Sequence, residues 1–281
     1  MTADRPRPWA LLTPAGAVLG GLFALPLAGL FVVSFWTVAR FRLRPGLTLD
    51  NYGRALADYG DILLRTVAMG VAVGALTTAL AAAFAYALRF RAGRFAEPLL
   101  FLTLLTVFGG YLVKIYAWKS ILGSDGLVNG ALVRLGVVEA PVEALLYSRT
   151  AVVVTLVNLL LPFAVLPVHA ALRNVPEDCL DAARDLGASP FVTAWRVVLP
   201  QCRWGLFAAF AVAFLGAAGD YVTPLLLGGA SGSMLGQFIA LQFSARFNWP
   251  LGAAMSFTLF AACMAVVAAA YLTLAARRDR P

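Results

Sequence analysis

The chain has 281 residues, 61% of them apolar and only 13% charged, with a formal net charge of +8. Soluble proteins average about 25% charged residues, so this composition excludes an ordinary soluble domain and indicates an integral membrane protein. The excess of arginine then belongs to membrane-span flanks rather than to a nucleic-acid surface, and three cysteines with one histidine leave no disulfide framework or metal cluster.

Arg5 and Arg7 precede an uncharged run from Trp9 to Trp36. A signal peptide has an apolar region of only about 7–15 residues and a small-residue cleavage site, so residues 9–36 read as a retained first span. Residues 40–65 form a polar connection in which Leu49 to Leu63 predicts a short amphipathic helix on the outer surface. The second span, 66–90, is rich in Ala and Gly, which suits close helix packing in a membrane. The basic turn Arg89, Arg91 and Arg94 follows it. The third span, 98–118, is broken by Gly109-Gly110 and carries Lys114. After a polar segment with two glycine-marked turns comes the fourth span, 150–172, with Pro162 and Pro167 as kink points.

Residues 174–200 are polar yet carry clear helix signals. Asn174 is expected to cap a helix with Pro176 in its first turn and Glu177 completing a capping box. That helix should run to Leu186 and close at a left-handed Gly187. Ser189 caps a second helix, Pro190 opens it, and Pro200 is expected to stop it. Cys179, Leu180, Ala183 and Leu186 recur at helical spacing, Ala182 and Ala183 are small enough for close approach, and Phe191, Trp195 and Val198 line one side of the second helix.

The fifth span, 204–227, is interrupted by Gly216, Gly219, Asp220 and Pro224. A Gly- and Ser-rich outer loop, 228–248, leads to the sixth span, 250–276, and to Arg277, Arg278 and Arg280. The expectation is an all-α polytopic membrane protein, one domain over 1–281 with six transmembrane helices. Six spans place both termini on one side, and the density of Lys and Arg puts that side, with residues 174–200, in the cytoplasm.

Asp220 and Lys114 are ionisable residues inside spans, where they are costly and are functional candidates by default. Tyr111, Tyr116, Trp118 and Tyr221 lie near the same membrane side, either as an interfacial belt or as partners for a cationic solute. No nucleophile–base pair and no phosphate-binding loop is present, so nucleotide hydrolysis would fall to another subunit.

Asp181-Ala182-Ala183, Gly187 and Val197-x-Leu199-Pro200 are spaced as in the E-A-A-x3-G-x9-I-x-L-P loop, and the segment resembles the coupling loop of ABC-transporter permeases. Asp181 replaces Glu and Val197 replaces Ile. KIYAW at 114–118, GSDGLVNGAL at 123–132, NLLLPFAVLP at 158–167, GDYVTPLLLGG at 219–229 and NWPLGAA at 248–254 are similar, in order, to permeases of the spermidine/putrescine type. That family usually has Arg where Lys114 stands.

The resemblance implies a type I ABC importer permease fold in the bacterial inner membrane. A cytoplasmic coupling helix would lie between helices 4 and 5 and dock into an ATPase dimer through Glu177, Asp181, Ala182, Ala183, Gly187, Val197, Leu199 and Pro200. It also implies a homologous second permease, a periplasmic solute-binding protein, membrane lipid around the spans and no nucleic acid. This chain would bind no cofactor, ATP and Mg being used by the ATPase. Asp220, Tyr221, Lys114, Tyr116 and Trp118 are the expected cargo-path residues, with a polyamine as the expected cargo. The alternatives are an importer of another small solute, such as an amino-acid derivative or organic acid, and an ion-driven carrier using Asp220 and Lys114 as a charge relay.

Overall fold

The computed structural model describes residues 8–39, 42–142 and 145–276. Arg5, Arg7, Arg40, Arg277, Arg278 and Arg280, which carry part of the orientation argument, lie outside the described residues. Apart from one short hairpin, the regular elements described are helical. α1 (Pro8–Val33) is followed by the antiparallel strands β1 (Thr37–Ala39) and β2 (Arg42–Arg44), paired Thr37 to Arg44.

The separate surface helix expected at 49–63 does not form. Those residues open α2 (Asp50–Phe90), one continuous helix of 41 residues. Nothing between Leu49 and Thr66 breaks a helix, and the Thr66 hydroxyl returns to the Ile62 carbonyl at 2.7 Å. At about 1.5 Å per residue α2 is roughly 60 Å long, twice a hydrocarbon core of about 30 Å, so part of it must stand outside the membrane.

Four helices are long and apolar enough to cross a bilayer: the Gly16–Val33 stretch of α1, α2, α6 (Arg149–Arg173) and α12 (Trp249–Ala276). Two bent helix pairs bring the number to six if each counts as one span. In the first pair, Gly93–Phe108 meets Tyr111–Arg134 at 98°. It contains α3 (Ala96–Leu105), α4 (Tyr111–Leu122) and α5 (Leu127–Arg134), and the bend falls at the predicted Gly109-Gly110, with Gly110 at φ +26°. In the second, Pro190–Gln201 meets α10 (Arg203–Ala218) at 75°. The fifth span is thus shorter than its expected range. α10 has 16 residues and ends at Gly219, and a π-helical turn, Pro224–Gly228, follows the break.

The chain divides into two compact units. The first holds the described residues through Gly60 with Phe238–Phe260. In it the buried Asn51 amide donates to the Ser34 and Trp36 carbonyls at 2.9 and 2.8 Å, which fixes the end of α1 to the start of α2. Tyr59 accepts from Gln242 at 3.1 Å and Arg246 at 2.9 Å.

The second unit holds Asp61–Gln237 with the described residues from Ala261. Its centre is the α6–α10 pair, joined closely at Gly205 and Gly216, with Ala209 and Ala217 buried in cores shared with α6. A Cβ at Gly205 would lie 2.5 Å from the Ala171 Cβ and 2.7 Å from the Pro167 carbonyl oxygen. Small residues at this spacing let two membrane helices approach to backbone contact. On α2, Gly70 and Gly74 admit the rings of Phe214 and Phe210, which stack parallel at 5.7 Å.

Candidate functional site: the 174–200 segment and the Asp220 carboxylate

The candidate coupling segment comprises α7 (Glu177–Asp185), α8 (Pro190–Thr193), a π-helical turn (Ala194–Val198) and α9 (Leu199–Gln201). Its start differs from the predicted capping box. Asn174 is the C-cap of α6, and Pro176 is the N-cap of α7 without a side-chain bond. A residue before proline is steered away from helical geometry, so α7 begins only after Pro176 and Glu177 becomes its first residue rather than its third. The Glu177 carboxylate instead accepts from Arg89 at the end of α2, at 3.1 Å.

α7 ends at Asp185, one residue short of the predicted Leu186, in a complete Schellman motif. The Gly187 N–H donates to Arg184 O at 2.8 Å and the Ala188 N–H to Ala183 O at 3.0 Å, with Gly187 at φ +74°. Ser189 caps α8 as expected, its Oγ accepting from the Val192 N–H at 3.4 Å. Pro200 does not stop the second helix, which continues to Gln201. The wider π-helical turn before it absorbs the register change that accommodates a residue with no N–H.

The predicted docking residues divide by direction. Leu180 and Val198 are buried in a core shared with Ala81 and Ala85 of α2 and Val165, Val168 and Leu172 of α6, and Ala183 is buried as well. Ala183 is therefore covered by its own chain. Ala182, Gly187 and Pro200 are exposed, and Val197 and Leu199 are half-buried. Asp181 pairs with Arg184 at 2.8 Å, on the surface. Leu186, Phe191 and Trp195, at 88%, 72% and 59% exposure, form an apolar outward face. Large exposed apolar residues clustered on a polar segment mark a contact surface.

The second constellation sits where α10 ends. Oδ1 of Asp220 accepts the Tyr111 hydroxyl at 2.6 Å and the backbone N–H groups of Val222 and Thr223 at 2.9 and 3.4 Å. The carboxylate thereby caps the helical turn that restarts the chain. Oδ2 is buried and has no hydrogen-bond partner among the described residues. The Tyr111 hydroxyl also lies 3.3 Å from the Thr223 hydroxyl. Tyr221 is exposed beside this cap, its Cβ against Gly236.

On α4, positions 111, 114 and 118 share a face, while Tyr116 lies on the other side and is exposed. Trp118 donates its indole N–H to Asn158 of α6 at 3.2 Å. Lys114 is half-buried beside Gly109 and has no ion pair among the described residues. The structure thus joins Asp220 to Tyr111 and Thr223 and joins Trp118 to Asn158, but does not pair Lys114 with Asp220. Thr223 and Asn158 were missed as site residues, and Tyr111 was read only as one of several interfacial or cargo aromatics. The one available signal was a polar residue inside an apolar run.

Residues 95–280 match the family described as binding-protein-dependent transport system inner membrane component. The chain is 35% identical over 213 residues to the spermidine/putrescine transport system permease protein PotB of Escherichia coli K12, covering 75% of this chain and 77% of that one. It is 33% identical over 253 residues to the inner membrane ABC transporter permease protein YdcU of the same organism, covering 84% and 78%. In fold it resembles a chain of a bacterial ABC transporter involved in the import of the acidic polysaccharide alginate, with TM-score 0.73 and 14% identity over 97% of this chain and 96% of that one. The chain belongs to the family of binding-protein-dependent transport system inner membrane components and is a permease subunit of an ABC importer.

Proposed function

We propose that this permease carries a polyamine of the spermidine/putrescine class through the bacterial inner membrane. The observation that carries this reading is the 35% identity with PotB, sustained over three quarters of both chains. The Asp220 site is compatible with it. A half-buried carboxylate with one oxygen unpartnered among the described residues, bordered by Tyr111 and Tyr221, offers an ammonium group both charge pairing and aromatic faces. In this reading six spans, with the first bent pair and α10 each counted as one, place both termini and residues 174–200 in the cytoplasm. A second, homologous permease completes the path.

Cargo would arrive from a periplasmic binding protein. An ATPase dimer using ATP and Mg would press on the coupling segment through Ala182, Leu186 and Gly187. Closure of the ATPases would turn the path outward, and hydrolysis would return it. A smaller or acidic solute is the second reading, favoured by Lys114, which stands without an ion pair among the described residues. Uptake by the reconstituted transporter decides between them. Spermidine uptake should require ATP and its binding protein. Uptake driven by an ion gradient alone would establish a secondary carrier, and preference for an organic acid would establish the second reading.

A further inference from the structure

Two apolar grooves lie side by side on the second unit, next to the coupling segment. The larger, about 790 Å³, follows α2 past Ala75, Ala79, Ala83 and Ala87 opposite Phe210 and includes Arg91. The other, about 680 Å³, shares Thr78, Trp195, Leu199, Leu206 and Phe210 with it and includes Arg203. From Ala75 to Ala87 the helix rises about 18 Å, close to the roughly 15 Å of hydrocarbon in one leaflet. Arg91 lies about 6 Å further, at headgroup level. Among the described residues no carboxylate lies within ion-pair distance of Arg91 or Arg203.

We propose that the paired grooves hold one anionic diacyl phospholipid, with an acyl chain in each groove and the phosphate met by Arg91 and Arg203. A transmembrane helix laid here would fill apolar space but bring no anion to Arg91 or to Arg203, whose guanidinium lies over the Trp204 ring at 5.7 Å. A neutral lipid would do the same. An anionic phospholipid matches the two channels, their depth and the two cations together, and basic residues at the membrane surface attract anionic headgroups. The inference rests on the grooves and not on the identity of the cargo.

The test is native mass spectrometry of the transporter purified through this chain, after incubation with phosphatidylglycerol or phosphatidylcholine of the same acyl chains. Phosphatidylglycerol should be retained in preference. Arg91→Gln with Arg203→Gln should lower its apparent affinity about thirtyfold, and each single change about fivefold, with phosphatidylcholine unaffected. Ala83→Leu, at an exposed position that tolerates the larger side chain, should lower retention of both lipids. Equal retention of the two lipids, an unchanged affinity in the double variant, or unchanged retention in Ala83→Leu would each overturn the proposal. So would an Ala83→Cys variant that cross-links to another subunit while no lipid is retained, which would make the groove a protein interface.

Discussion

Both ends of α10 are broken helices with a π-helical turn, and different forces hold them. Before α10, the turn Ala194–Val198 is anchored by apolar packing of Val198, Cys202 and Leu180. After α10, the turn Pro224–Gly228 follows a break whose geometry rests on Asp220, through a phenol and two backbone N–H groups. π-helical turns are frequent at functional sites. A break fixed by many apolar contacts leaves its outer face free to present Ala182, Leu186 and Gly187 to another protein. A break whose restart is capped by one carboxylate, even with Leu227 of the following turn packed in the core, ties backbone position there to the charge of a single group. The first arrangement suits a mechanical contact, and the second suits recognition of a charged solute.

The comparison breaks most severely at Gly205, where α10 leaves the coupling end. A leucine there has no space, because even a Cβ would meet Ala171 and the Pro167 carbonyl. Overpacking costs about 1–3 kcal/mol, and here the obstacle is partly backbone. Gly205→Leu should sharply reduce the yield and melting temperature of the solubilised protein. Normal yield and stability would mean that the α6–α10 contact does not organise the second unit.

Gly187→Val tests the same end without a packing change, since nothing lies within 4 Å of the added Cβ. Its cost is conformational, roughly 1–2 kcal/mol for a branched residue held in left-handed geometry. The transporter should assemble, while cargo-stimulated ATP hydrolysis falls away. Assembly with wild-type stimulation would remove this turn from the proposed ATPase contact.

Asp220→Asn addresses the other end. The amide oxygen can accept the same three hydrogen bonds that Oδ1 accepts now, so the break should survive and only the charge is lost. Hydrogen bonds to charged groups contribute about 1.5–3 kcal/mol, which predicts a loss of apparent cargo affinity of about tenfold or more at unchanged melting temperature. Failure to assemble would make Asp220 structural, and unchanged kinetics would remove the charged support for a cationic cargo.

The two ends also differ in how far the sequence announces them. Ser189, Pro190 and Gly187 act on their near neighbours, so the second cap and the left-handed closure were readable from local spacing. The start of α7 was misread because Asn174 and Glu177 fit a capping box, whereas Pro176 had already forced the helix to begin later. At the far end only the cost of an intramembrane carboxylate drew attention to Asp220. Its partner Tyr111 is 109 residues away, and no local pattern encodes that meeting. The outward direction of Leu186, Phe191 and Trp195 was hidden for the same reason. Helical spacing groups residues on a face, but only packing of α7 and the π turn against α2 and α6 decides which face is spent inside.

The smallest expected effect is at Glu177, and its smallness makes it informative. Its pair with Arg89 is largely exposed on the glutamate side, and such surface pairs contribute about 0–1 kcal/mol. Glu177→Gln should therefore leave the melting temperature nearly unchanged, and so should Arg89→Gln. If the bridge only positions α7 on the end of α2, the two single variants and the double variant should show the same slight loss of transport coupling. A Glu177→Gln defect much larger than that of Arg89→Gln would require a second partner for the carboxylate on the ATPase. That outcome would move the contact surface toward the first turn of α7 and away from its far end around Leu186 and Gly187.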